Sequence, residues 1–267
     1  MADKRNENFR SDTNEENWIS RYSLLVGRVA GVPVYINFSS AFIVILIAWT
    51  LSSTILPNNY PGLVQGTYII IGVVCALISL VSILLHEVAH SVIAGRYGIK
   101  FQKITLFALG GIALIPDEIT VPKKEIWMAF AGPLISFIIS GVSFLLWFTF
   151  IQSHIFNSQN FPIDAIFFYS AAINFVIGLF NLLPIFPCDG GRILRSILSY
   201  HTHDHITATL STIRIGMIIS ICILITGGVI GFKFTFVGGI WLMLVAYFLM
   251  RGSRVYYDHY QCLLSRN

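Results

Sequence analysis

Residues 67–94 read TYIIIGVVCALISLVSILLHEVAHSVIA. From Thr67 to Leu85 there is no Asp, Glu, Lys, Arg or His. About 20 apolar residues in a helix cross the hydrocarbon of a bilayer, so this stretch is long enough to span, and to tilt or protrude. His86, Glu87 and His90 then follow within about one helical turn. An acid at the centre of a membrane helix costs about 2.5–3.5 kcal/mol on insertion scales, so such residues are normally functional. A helix–helix hydrogen-bonding cluster would be the bland use of these groups, but it has no need of this spacing. In H-E-x-x-H, His86 and His90 stand at i and i+4 on one helix face, where both imidazoles can reach one metal ion. Glu87 projects beside them, placed to take a proton from a water at that ion.

The rest of the chain fits a membrane setting. Charged residues make up 11% of the 267 and hydrophobic ones 55%, whereas a soluble domain carries about 25% charged. With Thr67–Ala94, apolar spans near Ser39–Leu56, Ile126–Ile151, Ile163–Leu183, Ile213–Ile230 and Phe234–Met250 make six. The expected fold is an all-α polytopic membrane protein of about six transmembrane helices. Two stretches alternate with the period of a strand instead: Val32–Asn37 (VPVYIN) and Ile99–Leu114, the latter broken by Gly110 and Gly111. They predict a small β or re-entrant element, tolerated at membrane depth only where protein shields it. Residues 1–20 are polar and charged and read as a disordered tail, leaving 21–267 as one intramembrane domain. The first apolar span comes too late and is too long for a cleaved signal peptide. The four cysteines, Cys75, Cys188, Cys222 and Cys262, lie far apart with no CxxC pair and read as free thiols.

Lysine and arginine set the orientation. Residues 1–38 hold five, 95–125 five, 184–212 two and the tail after Met250 three, with Arg214 at the start of the fifth span. Loops 57–66 and 152–162 hold none, and Lys233 alone stands in the short turn between the last two spans. With six crossings, 16 of the 17 fall on one side. The positive-inside rule makes that side, with both termini, cytosolic. The multi-pass chain is therefore expected in the cell membrane, with the lipid bilayer as its surroundings. Membrane orientation also accounts for the basic loops, and no nucleic-acid partner is expected.

A hydrolytic zinc site uses three protein ligands plus water, so two histidines need a third partner. Asp189, in NLLPIFPCDGGR (Asn181–Arg192), is the one other acid near membrane depth with a route to the site. Pro184 and Pro187 break the fourth span, and a broken helix end can aim a carboxylate back into the bundle. Its alternative role is a cap or turn residue ahead of Gly190 and Gly191.

HEVAH in one transmembrane helix, followed about 100 residues later by N-x-x-P-x-x-P-x-D-G-G in another, resembles the site-2 protease family of intramembrane zinc metalloproteases. FALGGIAL (107–114) and AGPLIS (131–136) are similar to that family's glycine-bearing segment and A-G-P motif. The likeness covers residues 24–200 and is closest to the compact bacterial and archaeal branch, which includes the sporulation-factor-processing proteases. It implies one Zn²⁺ per chain held by His86, His90 and Asp189, with Glu87 activating water. Asn181 stands where the family motif has its asparagine and is a candidate contact for substrate or oxyanion, while Asn174, seven residues earlier, reads as structural. Cys188 departs from the aliphatic residue usual in the motif. About 17 residues follow Met250, too few for a CBS domain, and no insertion is long enough for a PDZ domain, so regulation by those modules is not expected.

The implied reaction is endopeptidase cleavage of a single-span or membrane-anchored protein, releasing a cytosolic fragment. A substrate unwound from its helix needs new backbone partners, and the 104–114 segment could add it as a strand, with Gly110 and Gly111 permitting close approach or merely making a turn. A zinc transporter is the competing class. It would show polar residues along several spans and related halves, whereas the ionisable groups here collect at one level. An inactive homologue would lack a ligand or the base, and none is missing. HTHDH (201–205) carries ligand-type residues without a framework and reads as a solvated loop rather than an accessory metal site.

Overall fold

The protein is described by a computed structural model covering residues 23–29, 31–99, 103–107, 110–114, 121–153, 163–234 and 236–264; the polar segment 1–20 lies outside the described residues. The chain divides into two compact units, one of residues 1–116 and 136–175, the other of 117–135 and 176–267.

The first unit opens with a sheet. Strands β1 (Ser23–Val29), β2 (Val32–Asn37), β3 (Lys103–Phe107) and β4 (Gly110–Leu114) lie in that order. β1 and β2 form an antiparallel hairpin whose register shifts between Leu25 and Gly27, β2 and β3 run parallel, and β3 and β4 are antiparallel with Phe107 opposite Gly110. The alternation in 32–37 and 99–114 thus marks real strands, while β1 was not foreseen. Helix α1 (Ser39–Asn59) follows and passes through a π-helical turn at Leu51–Ile55. The Asn37 side chain accepts from the Ser39 N–H, and the Ser40 hydroxyl donates to the Leu106 carbonyl at 2.8 Å, fixing the helix start on β3. Helix α2 (Gln65–Arg96) carries the H-E-x-x-H motif. It crosses α1 closely: a Cβ on Gly72 would lie 2.6 Å from the Ala48 carbonyl oxygen. The unit also holds the second part of α3 (Pro122–Ser153) and the first of α4 (Ile163–Asn181). Leu51, Leu56, Ile71, Cys75, Ala165 and Tyr169 form a buried core among α1, α2 and α4.

The second unit holds the start of α3, the end of α4, α5 (Asp189–Thr202), α6 (His205–Lys233) and α7 (Phe236–Leu264). α6 and α7 form a hairpin whose backbones touch near its tip: a Cβ on Gly239 would meet the Gly231 Cα at 2.2 Å. Between α4 and α5 the chain makes tight turns, with Ile185 N–H on Leu183 O and Cys188 N–H on Ile185 O, and the Phe186–Pro187 bond is cis.

Among the described residues five helices are long and apolar enough to cross a membrane: Ser39–Asn59, Gln65–Arg96, Pro122–Thr149, Ile163–Asn181 and His205–Lys233. The sixth expected span, 234–250, supplies the apolar half of α7, which then continues as helix through Arg251 to Leu264. The 184–212 region, read from sequence as a loop, instead contains α5. The prolines and glycines that suggested irregular chain all precede its second turn, and its buried face carries Arg195, Ser196 and Ser199 instead of an apolar stripe.

Candidate metal centre

Helix α2 presents two faces at the motif. Leu80, Ile83, Leu84 and Val88 pack against the sheet through Val34, Ile104 and Leu106. His86 and His90 point elsewhere and are 3% and 7% exposed. Their ring centroids lie 4.9 Å apart with planes at 81°, as the i, i+4 spacing requires. Glu87 between them is half-buried. His86 Nδ1 lies 2.9 Å from the Ser136 hydroxyl of α3, itself fully buried. That bond occupies Nδ1 and leaves Nε2 as the ligating nitrogen, the arrangement in which an outer partner fixes ring orientation and tautomer. Sequence reasoning assigned Ser136 no role, although it closes AGPLIS.

Asp189 is the first residue of α5, in the second unit. Cys188 before it is extended, and Gly190 and Gly191 after it are buried. Both glycines are obligatory: a Cβ would lie 2.2 Å from Leu182 O at Gly190 and 2.7 Å from Ile185 C at Gly191. The backbone of the 182–186 turn thus lies directly against the first turn of α5, and that contact fixes where the Asp189 carboxylate starts. The Cys188 thiol is pushed up to about 12 by burial, with the neighbouring Asp189 charge second.

His86, His90 and Asp189, each offering one ligand atom, are a candidate metal-binding group. Two imidazole nitrogens and a carboxylate oxygen match the donor set of hydrolytic zinc, which leaves a fourth position for water or substrate.

Residues 74–162 and 151–227 match peptidase family M50. The chain belongs to peptidase family M50. Among its relatives, Rip3 of Mycobacterium tuberculosis is 31% identical over 236 residues, covering 88% of this chain and 58% of Rip3. Zinc metalloprotease MJ0392 of Methanocaldococcus jannaschii is 31% identical over 207 residues, covering 77% of this chain and 54% of the relative. The chain therefore spans a little over half the length of these curated relatives. The solved site-2 protease from Methanocaldococcus jannaschii superposes with a TM-score of 0.59 at 29% identity, covering 87% of this chain and 94% of that one. The resemblance drawn from HEVAH and the D-G-G motif is borne out.

Other candidate residues in this M50 chain take definite places. Asn181 ends α4 and donates its side-chain amide to Ile177 O of the same helix at 3.0 Å. Asn174 is fully buried and donates to Ser170 O, and its Oδ1 has no hydrogen-bond partner among the described residues. Gly110 and Gly111 lie inside β4, opposite Phe107 and Leu106, while positions 108–109 at the hairpin turn lie outside the described residues. HTHDH is a helix corner: His203 is a left-handed C-cap on α5, and Asp204 caps α6 by accepting from Ile206 N and Thr207 N.

Proposed function

We propose that this chain is a zinc-dependent intramembrane endopeptidase that cuts membrane-anchored proteins within or near a transmembrane segment. One observation carries the reading: a buried His86–His90 pair flanks Glu87 inside a long apolar helix of an M50 chain. The MJ0392 relative is named a zinc metalloprotease, and the donor set of the candidate group suits that metal.

His86, His90 and Asp189 hold one zinc ion. When bound, zinc acidifies a water to a pKa near 7 and polarises the scissile carbonyl. Ser136 keeps the His86 ring in its ligating tautomer. Glu87 takes the proton from the attacking water and returns it to the leaving amine nitrogen. Asn181 donates its remaining amide hydrogen to substrate or to the developing oxyanion, beyond what the metal supplies.

The substrate is a single-span or otherwise anchored protein, locally unwound. Among the described residues β4 pairs on one side only, so its other edge offers backbone groups to an extended peptide. Gly110 and Gly111 leave that edge without side chains where the peptide would lie. By the positive-inside rule both termini and the 95–125 and 184–212 segments favour the cytosolic side of a cell membrane, so a cytosolic fragment is released. The test is co-expression with candidate single-span substrates. Wild type produces a shortened product and Glu87→Gln does not. Equal cleavage by both would overturn the assignment.

A further inference from the structure

The second unit surrounds the Asp189 loop with contacts that the zinc site itself does not explain. The chain after Met250 continues as helix, and Gly252, Ser253, Tyr256 and Tyr260 fall at i, i+1, i+4 and i+8 on one face of α7. Each meets the loop or α5. A Cβ on Gly252 would lie 2.6 Å from Pro187 Cδ. The Ser253 hydroxyl donates to Phe186 O at 3.0 Å. The Tyr256 ring stacks on Phe186 with centroids 4.4 Å apart and planes 17° from parallel. Arg195 Nη1 donates to the Tyr260 hydroxyl at 3.3 Å, and its guanidinium lies 5.5 Å from the Phe186 ring centroid.

These contacts bracket one residue. Phe186 and Pro187 are held three and two positions before Asp189. Arg195 is held six positions after it, about 9 Å along a rigid helix. The first turn of α5 has no freedom of its own, because Gly190 and Gly191 are packed on backbone. Any displacement of the loop therefore reaches the carboxylate.

We propose that the Gly252–Tyr260 face of α7 is a positioning clamp for Asp189, setting the placement of the third metal ligand from outside the metal site. This rests on the proposed role of Asp189 as that ligand. The clamp's elements are positioning residues: none supplies a ligand or a proton.

Zinc affinity of the purified full chain tests the clamp, measured by chelator competition, together with the visible spectrum of the cobalt(II)-loaded protein. Gly252→Ala presses on Pro187 and Tyr256→Leu removes the stack. Each weakens zinc by about 10–100-fold, the usual cost of losing an outer-shell partner, and shifts the cobalt bands. Tyr256→Phe keeps the stack and stays close to wild type in both readouts. Ser253→Ala serves where Gly252→Ala does not fold. If the variants lower only the unfolding temperature of metal-free protein, with affinity and spectrum unchanged, the face is structural and the proposal is wrong. Asp189→Ala separates the two levels. Wild-type zinc binding by Asp189→Ala overturns the ligand assignment and the clamp with it. Loss of zinc there, with retention in Gly252→Ala and Tyr256→Leu, overturns the clamp alone.

Discussion

Glu125 and Arg195 form a buried ion pair in the second unit, 2% and 8% exposed at their side chains. Ser196 donates to the other Glu125 oxygen, and Tyr260 accepts from Arg195. The pair joins the first turn of α3 to the middle of α5 and, through Tyr260, to α7. Glu125→Leu would leave the Arg195 guanidinium out of water and without its carboxylate. Breaking a buried pair in this way costs about 3–5 kcal/mol, because the surviving charge is uncompensated. Arg195→Met should cost a similar amount by stranding the carboxylate. Replacing both removes both buried charges, and such double replacements are often neutral. The expected pattern is two severe single variants and a double variant about as stable as wild type. Denaturant unfolding in mild detergent, followed by tryptophan fluorescence, measures all four proteins. Additive single effects, with a coupling below about 0.5 kcal/mol, would refute the reasoning and reduce the pair to two independent polar residues.

Other outcomes follow from the same geometry. Ser136→Ala frees His86 Nδ1 and should weaken zinc by about 10–100-fold without unfolding the protein, measured by chelator competition. Gly190→Ala drives a methyl into the Leu182 carbonyl, and because only backbone could give way, Asp189 should be displaced and zinc lost; intact binding would contradict the packing. Cys188→Leu should retain zinc, since the buried side chain serves packing with Ile185 and Leu249; loss of zinc would implicate sulfur as a ligand. The Asp204 carboxyl is held below its usual range chiefly by the Thr207 hydroxyl, then by backbone N–H groups. A lowered folded-state pKa stabilises above the unfolded value and is lost as pH falls through the folded one. The α5–α6 corner should thus loosen below about pH 4, and hydrogen exchange at Ile206 and Thr207 should lose that dependence in Asp204→Ala. Cysteines introduced at positions 59 and 157 should label from outside and those at 120 and 203 from the cytosol; the reverse pattern would overturn the orientation.

What the sequence revealed followed the physics of local periodicity. VPVYIN occupies the strand expected for it, and the first four apolar runs became helices within a few residues of their expected ends, whereas α6 begins at His205 and α7 runs on to Leu264. His86, Glu87 and His90 were legible because both the motif and its surroundings are local. Asp189 stood out as the one other acid near membrane depth, just past the prolines that break the fourth span. What escaped depends on partners far along the chain. β1 has Gly27 and Arg28 in its middle, and its strand character comes from pairing with β2. Glu125 sits beside Lys123 and Lys124 at the edge of an apolar run and looks like a solvated terminus; only Arg195, seventy residues on, reveals that it is buried. α5 hides its polar face and exposes Ile197 and Tyr200, which inverts the pattern that marks a soluble amphipathic helix. Ser136 is one hydroxyl among several on α3, and nothing but the position of His86 singles it out.

The division of labour at the site has His86, His90 and Asp189 holding the metal while Glu87 moves the proton. Zinc content of the purified full chain tests it most directly, compared across wild type, Glu87→Gln, His86→Ala and Asp189→Ala. About one zinc per chain is expected in wild type and Glu87→Gln, and little in the other two. Zinc retained in Asp189→Ala, or lost in Glu87→Gln, would contradict it.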